Sequence, residues 1–420
     1  MNKRYIFLPV ALLFFCLTVQ AQVLVPTTFE SFWQSVVAGN LGYACEQLEM
    51  PISKAEIKAA HMINDVSLSA SYSNNQNPTL QMGQGVEVEL GKTISFGKRR
   101  ANILLAENRS LLAEALLNDY LRNLRADATL AWLEALKQQE LYKVKENAAV
   151  AMGKLAHADS LRFALGEIGE IDALQSRLEC GIIRNEMLSA RAELFNALNA
   201  LNLYTSSFSI DTLLQPSESL STERHLVTLQ PLVAQAMNNR SDLMAAMHER
   251  NIAYDELRVT KRERNTDIDV SLTCGYNSVV LNEEAPAPAF HSVSAGITVP
   301  IPFSHFNKGE IRAAEMRTQQ AEMNYKAAQL EVQTEVMQAY RTYLAYTEQM
   351  AHYNTGLLKA AEDVLKGKIF SYEHGDVGLI EVLDAYRTYD ELKTQYVETL
   401  HAQCVAWVEL QRAVGIGFNK

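Results

Sequence analysis

Beyond its first stretch the chain has no uninterrupted apolar run long enough to span a bilayer as a helix, so no transmembrane helix is expected in its body. Proline is scarce, with 10 in 420 residues, and aromatics make up only 8%. Ala, Leu, Glu, Gln and Arg crowd the middle of each half instead, which favours long helices over a mixed globular core. Of five cysteines, Cys45, Cys180, Cys274 and Cys404 lie far apart outside the leader and form no CxxC pattern. They read as small buried or strand-facing residues. A Cys45–Cys404 disulfide is open in an oxidising compartment, and spacing does not decide it. The histidines show no His-x-x-x-His or Cys–His spacing, so no structural metal site is expected. Phosphate loop, nucleophile elbow and G-x-G-x-x-G are all missing, which leaves no cofactor and no enzyme to expect. An excess of basic residues is missing too. The net charge is −11, and losing Lys3 and Arg4 with a leader makes it more negative, which argues against nucleic acid as a partner.

What is present begins with a targeting segment, expected over residues 1–21. Lys3 and Arg4 form a basic region, Ile6 to Val19 a short apolar run, and Val19-Gln20-Ala21 a small-residue cleavage site. Cys16 follows Phe14-Phe15, too bulky for a lipoprotein site, so export without a lipid on that cysteine is expected.

The chain then repeats itself. Asp65-Val66-Ser67-Leu68-Ser69-Ala70-Ser71-Tyr72 returns as Asp269-Val270-Ser271-Leu272-Thr273-Cys274-Gly275-Tyr276. Each copy reads helix, strand, strand, long helix, turn, helix, which is a duplicated supersecondary unit rather than a solenoid of short repeats. The first copy is expected over 22–203, with strands at about 65–73 and 85–95, a long helix at about 100–163 and a return helix at 171–203. A linker, 204–227, holds a suggested short strand at Phe208-Ser209-Ile210. The second copy covers 228–420, with strands at about 267–276 and 292–301, a long helix at about 308–372 and a return helix at 379–414. Phe29 to Asn64 is read as helix interrupted by Gly39, Gly42 and Pro51, with Ser53 and Glu56 at the spacing of a capping box. Leu229 to Arg264 is read as one helical stretch.

The strands alternate, although Lys92 spoils the apolar face near the end of the return strand, where an interface would tolerate it. Val66, Leu68, Ala70 and Tyr72 share one face, and Ser67, Ser69, Ser71 and Ser73 the other. About 9 to 11 residues is the length of a tilted transmembrane β-strand. Such a sheet must have no open edge in lipid, because unpaired amides find no water there. Four strands cannot close, so several copies are needed, and three copies give twelve strands around a lumen lined by Ser67, Ser69, Ser71, Asp269, Ser271 and Thr273. Two soluble hairpins packed on helices are the plainer alternative.

The long helical runs carry leucines at helical spacing with no proline. A helix of about 60 residues would be about 90 Å long, which asks for coiled-coil pairing rather than a globular domain. Met316, Met323, Met337 and Met350 also recur at helical spacing and read as core packing before a copper ladder.

Tyr372-x-x-Gly375-x-Val377-Gly378-Leu379-Ile380-Glu381-Val382-Leu383-Asp384-Ala385 resembles the hairpin-tip signature of the TolC family of outer-membrane efflux ducts, and Gly166-Glu167-Ile168-Gly169-Glu170-Ile171-Asp172-Ala173-Leu174-Gln175 is a weaker version of it. The resemblance covers essentially the whole chain past the leader. Ile301-Pro302-Phe303 with Asn307-Lys308-Gly309-Glu310-Ile311 resembles the cation-efflux (CusC-like) branch. The resemblance implies a mainly α fold with a small β part, assembled as a homotrimer. A twelve-stranded barrel in the outer membrane of a Gram-negative bacterium and a twelve-helix periplasmic coiled-coil tunnel follow from it. The implied function is a passive exit duct of a tripartite efflux system, opened by a periplasmic adaptor and driven by an inner-membrane pump of the resistance-nodulation-division class or similar. The competing reading is a periplasmic coiled-coil adaptor without a barrel.

The resemblance also implies roles for particular residues. Glu381 and Asp384, three apart on a helix, and Asp172 in the first copy would line the periplasmic entrance as acid rings that attract cations. The plainer reading is a helix start, where acids suit the dipole. Val377, Gly378 and Leu379, with Ile168, Gly169 and Glu170, would be the tips that dock the adaptor. Tyr372 and Arg162 would clamp the closed tip. Substrate, pump and resting state are not legible.

Overall fold

The computed structural model describes residues 23–74, 82–206, 212–221, 225–301 and 307–415. The expected leader, the suggested strand at Phe208-Ser209-Ile210 and the pair Pro302-Phe303 lie outside the described residues. Helices dominate. The order is β1 (Val23–Thr27), α1 (Phe29–Gly39), α2 (Leu41–Ala60), β2 (Val66–Asn74), β3 (Gln84–Ile94), α3 (Lys98–Ala164), α4 (Glu170–Thr205), β4 (Thr212–Pro216), α5 (Leu229–Asn239), α6 (Ser241–Glu263), β5 (Ile268–Asn277), β6 (Phe290–Thr298), α7 (Lys308–His352), α8 (Leu358–Glu373) and α9 (Leu379–Val414). The chain divides into two compact units. One draws on Leu41–Thr129, Thr222–Thr355 and the chain from Ala402; the other on the chain up to Asn40, Leu130–Ser221 and Gly356–His401.

The first unit holds an antiparallel sheet in the order β2-β3-β5-β6. Its register aligns Ser67, Gly91, Ser271 and Gly296 in one row, and Leu68, Leu90, Leu272 and Ala295 in the next. Alternation along each strand therefore becomes two continuous faces. On the polar face serine hydroxyls lie over neighbouring glycines. A Cβ on Gly91 would sit 2.7 Å from the Ser67 hydroxyl, and one on Gly275 2.6 Å from that of Ser292. Thr273 donates a hydrogen bond to Glu89 on this face at 3.3 Å. The opposite face is mostly apolar and bare, with Lys92 and His291 towards its two ends: Leu68 is 70% exposed, and Val293 and Ile297 are each 72% exposed. Among the described residues neither β2 nor β6 has a strand on its outer edge.

The helices of this unit bury Leu232 and Ala236 of α5, Leu243 of α6, Val332, Val336 and Tyr343 of α7, and Leu410 and Val414 of α9. The expected single helix from Leu229 to Arg264 is instead broken at Arg240, whose backbone is extended. The break turns a long cation inward. Arg240 is only 5% exposed and donates to Asp242, to Glu335 and, at 3.1 Å, to the Ala413 carbonyl. Burial alone would lower its pKa, but the two carboxylates outweigh this and raise it. Arg122 pairs with Asp119 at 2.6 Å and Arg412 with Asp127 at 3.1 Å. Three arginines thus tie α3, the α5–α6 break, α7 and the end of α9 together.

Other expectations are corrected here. Pro51 and Gly42 lie inside α2 and do not interrupt it. Ser53 is no cap: it is mid-helix, donates to the Met50 carbonyl at 3.0 Å and faces the Ser110 hydroxyl. The expected second long helix is not continuous. Tyr353–Leu357 form a wide turn between α7 and α8, where Gly356 has φ +97°, a conformation that costs glycine little and other residues much. Of the four periodic methionines, only Met350 is buried; Met316, Met323 and Met337 are exposed. Among the described residues Cys45, Cys180, Cys274 and Cys404 form no disulfide.

The second unit contains a feature that alternation did not announce: β1 pairs in parallel with β4, Val25 opposite Leu214. Trp132 of α3 stacks on Phe32 of α1, ring centroids 5.1 Å apart, with Phe29 edge-on at 5.9 Å. A second core gathers Ala148, Met152, Ile183, Leu365, Tyr372, Leu379, Val382, Leu383 and Tyr386. Lys145 bridges Glu186 and Asp390 at 2.9 and 2.6 Å, and Arg387 grips Glu179 through two nitrogens at 2.9 and 2.7 Å.

Arg240→Met keeps most of the buried volume, strands Glu335 and leaves Asp242 only the Leu243 amide and Arg122 at 3.7 Å. The partial exposure of both carboxylates puts the cost at the low end for a broken buried pair, about 3 kcal/mol, read as earlier loss of helical circular dichroism on heating. The triple change Arg240→Met, Asp242→Asn, Glu335→Gln should recover part of that loss.

Candidate functional site at the paired helical turns

Two turns in the second unit are built alike. In the first, Gly166 (φ +80°) ends α3, the Gly166 amide donates to the Phe163 carbonyl, and the Glu167 amide reaches back to Arg162, both at 2.9 Å. In the second, Gly375 (φ +80°) ends α8, its amide donates to Tyr372 at 3.1 Å, and the Asp376 amide reaches Ser371 at 2.9 Å. Each is a Schellman closure, and each needs a residue without Cβ at the left-handed position. A second glycine three residues on, Gly169 or Gly378, starts the next helix, with its carbonyl accepting from Ala173 or Glu381.

The residues expected to dock a partner are presented unequally. Gly169, Glu170 and Gly378 are exposed, and Ile168 and Val377 are half-buried. Leu379 is buried in the core with Val382 and Leu383 and acts as an anchor for the turn. The apolar side chains that do reach outward are Leu165, Ile171 and Ile380, all strongly exposed. Sequence reasoning passed over these three, although each lies within two residues of a turn glycine.

Behind the turns Tyr372 donates its phenolic proton to Asp159 Oδ1 at 2.8 Å. Both side chains are buried, Asp159 to 1% exposure. Burial first, and the Asp159 hydrogen bond next, push the Tyr372 phenol above its ordinary pKa, so the bond keeps its proton. It joins α3 to α8. Arg162 stacks its guanidinium over the Tyr372 ring, 5.0 Å from the centroid, and its Nε reaches Glu167 at 3.3 Å. The ion pair of Arg162 is thus within its own turn. Asp159 was missed; its spacing of three from Arg162 on one helix face was the available signal.

The three acids lie in this same unit, all exposed: Asp172 in the first turn of α4, Glu381 and Asp384 at the start of α9. Glu381 accepts from Lys368 at 2.6 Å, and that ammonium holds its carboxyl below the usual range. Among the described residues no group of three or more His, Cys, Asp or Glu could hold a metal ion. The chemistry on offer is electrostatic and mechanical: exposed carboxylates beside a turn, and a buried hydrogen bond that can be made or broken.

Residues 232–416 match the family model described as outer membrane efflux protein. The cobalt-zinc-cadmium resistance protein CzcC of Cupriavidus metallidurans is 23% identical over 399 residues, 93% of this chain and 90% of that protein. The crystal structure of CusC superposes with a TM-score of 0.76 at 18% identity, covering 94% of this chain and 93% of that one. The outer membrane protein VceC of Vibrio cholerae follows at a TM-score of 0.74 and 17% identity, covering 93% and 97%. The family model falls on the second half, and the alignment with CzcC carries the likeness through the first. The chain is thus similar to outer membrane efflux proteins, by the family model over residues 232–416 and by the CzcC alignment over 93% of its length.

Proposed function

We propose that this chain is one third of a passive outer-membrane exit duct, the outermost part of a tripartite efflux system, with no catalysis of its own. The observation that carries the reading is the four-stranded sheet: apolar and bare on one face, serine over glycine on the other, and open at both edges. Lipid suits the first face and a water-filled lumen the second. In lipid the open edges cost several kcal/mol per unpaired group, so they close against sister copies, three of which supply twelve strands. The exposed stripe Met316, Met323, Leu330, Met337, Leu344 on α7 recurs every seventh residue, the pattern of a coiled-coil seam, and supports helix packing between copies. The helices form a periplasmic tunnel. The paired turns close it and receive a periplasmic adaptor, which an inner-membrane pump drives. The duplication of helix, strand, strand and helix supplies two such arms per copy. An adaptor without a barrel leaves the sheet unexplained.

Glu87, Glu89 and Asp269 share the polar face of the sheet, and Glu381, Asp384 and Asp172 line the entrance. A duct so lined favours cations, in keeping with the metal named for CzcC. Tyr372 and Asp159 are the lock, and Arg162 braces the Tyr372 ring.

Extracted in mild detergent after export, the protein should have the mass of three chains by light scattering. A monomer that stays in solution without detergent would overturn the reading. In planar bilayers Tyr372→Phe should raise the open population, since stranding a buried carboxylate oxygen costs the locked state about 1–3 kcal/mol, roughly 5- to 150-fold. An unchanged opening rate would remove the bond from the gate. Alanine at both Glu381 and Asp384 should weaken block by multivalent cations from the periplasmic side, whereas equal block would place these acids away from the conducting path.

A further inference from the structure

A cleft of about 450 Å³ lies between α3, α8 and α9, immediately behind the first turn. Its walls are largely apolar, with Met152, Leu155 and Ala158 of α3, Ile369 of α8 and Val382 of α9, and they also carry two cations, Lys154 and Arg162, against the acids Glu167 and Glu373 besides Asp159. Its size falls within the range of small-molecule pockets. Asp159 also lines it, almost fully buried. One Asp159 oxygen takes the Tyr372 proton, while the other, Oδ2, has no hydrogen-bond partner among the described residues. A buried acceptor without a donor in an apolar wall is an unmet demand, and a ligand that brings the donor satisfies it.

We propose that this cleft is a binding site for a small organic cation, a flat apolar ring bearing an amidinium, guanidinium or protonated amine, whose N–H groups pair with Asp159 Oδ2 as the buried carboxylate turns towards the cleft, while the ring lies against Met152, Leu155 and Val382. The cation is favoured over a neutral donor because the acceptor is an acidic side chain already supplied with one neutral donor. A charge-assisted second bond is the stronger complement. The walls come from three helices, α3 on one side and α8 and α9 on the other. A ligand seated there is held mostly by α3, and its contact across to Val382 of α9 is kept only while the helices joined by Tyr372 and Asp159 stay together. It therefore shifts the population towards the locked arrangement by its difference in affinity for the two. This second step rests on the gate reading above; the binding step does not.

Benzamidinium chloride is the probe, titrated calorimetrically into the full-length assembled protein, with benzyl alcohol as the uncharged control. One saturable site per chain is expected. Affinity should fall at least tenfold in Asp159→Asn, at least tenfold in Ala158→Leu, which fills the cleft and leaves the carboxylate in place, and at least tenfold for benzyl alcohol. Circular dichroism establishes that both variants are folded. In bilayers benzamidinium should lower the open population of the wild type and leave Ala158→Leu unaffected. No saturable binding, as when a neighbouring copy fills the cleft, would overturn the site. Equal affinity across the variants would overturn its position, and equal affinity for benzyl alcohol the ligand class. Binding without any effect on opening would keep the site and overturn its coupling to the gate.

Discussion

A peptide amide in hydrocarbon has no water to fall back on, and most of what this chain is built for follows from that constraint. The sheet β2-β3-β5-β6 satisfies every internal pair and leaves two edges open, while its outer face is as greasy as a protein core. A soluble protein would fold a helix over such a face. This one keeps it bare and crowds the other face with hydroxyls set over glycines, where larger side chains would collide with the Ser67 or Ser292 oxygens. Small residues on one face and bulky ones on the other suit a sheet that curves, as a closing barrel must.

The helical turns solve a different problem. They reverse the chain in a few residues, and on the proposed reading they must also part. The reversal is backbone chemistry: two glycines at φ +80° close the helix ends by Schellman bonds, and Leu379 anchors the second turn in the core. The element proposed to part is side-chain chemistry, concentrated in one buried bond between Tyr372 and Asp159. Being buried, it is strengthened by the low local dielectric and costly to leave half made, which favours two discrete states over a continuum. The surrounding surface is electrostatic and yielding, with Glu381 held by Lys368 and Arg162 shared between Glu167 and the Tyr372 ring.

Elsewhere the same chain accepts no such freedom. Arg240 is buried where an apolar residue would pack more cheaply, and it breaks what would otherwise be one helix so as to reach Asp242, Glu335 and the last turn of α9. Buried ion pairs give little net stability, but they penalise every misfit arrangement in which a partner is lost. That suits a place where four helices must meet in one register.

The mainly helical character, the small sheet and the two glycine turns were legible because each rests on local chemistry: proline scarcity, period-two alternation, leucines at helical spacing, and glycine where the backbone must turn left-handed. The short strand Val23–Thr27 was not legible, because it is a strand only by virtue of its partner Thr212–Pro216, far away in the chain. The breaks at Arg240 and at Gly356 were missed for the same kind of reason: helical periodicity continues through both, and tertiary demands overrule it. At the candidate site the family resemblance singled out Tyr372 and the acids but not Asp159. A lone aspartate in a long amphipathic helix looks like any solvated residue until folding buries it against a phenol. Nor could pattern tell that Leu379 faces inward while Ile380 faces out. Periodicity and turn chemistry are written residue by residue, whereas burial and partnership exist only once distant segments have met.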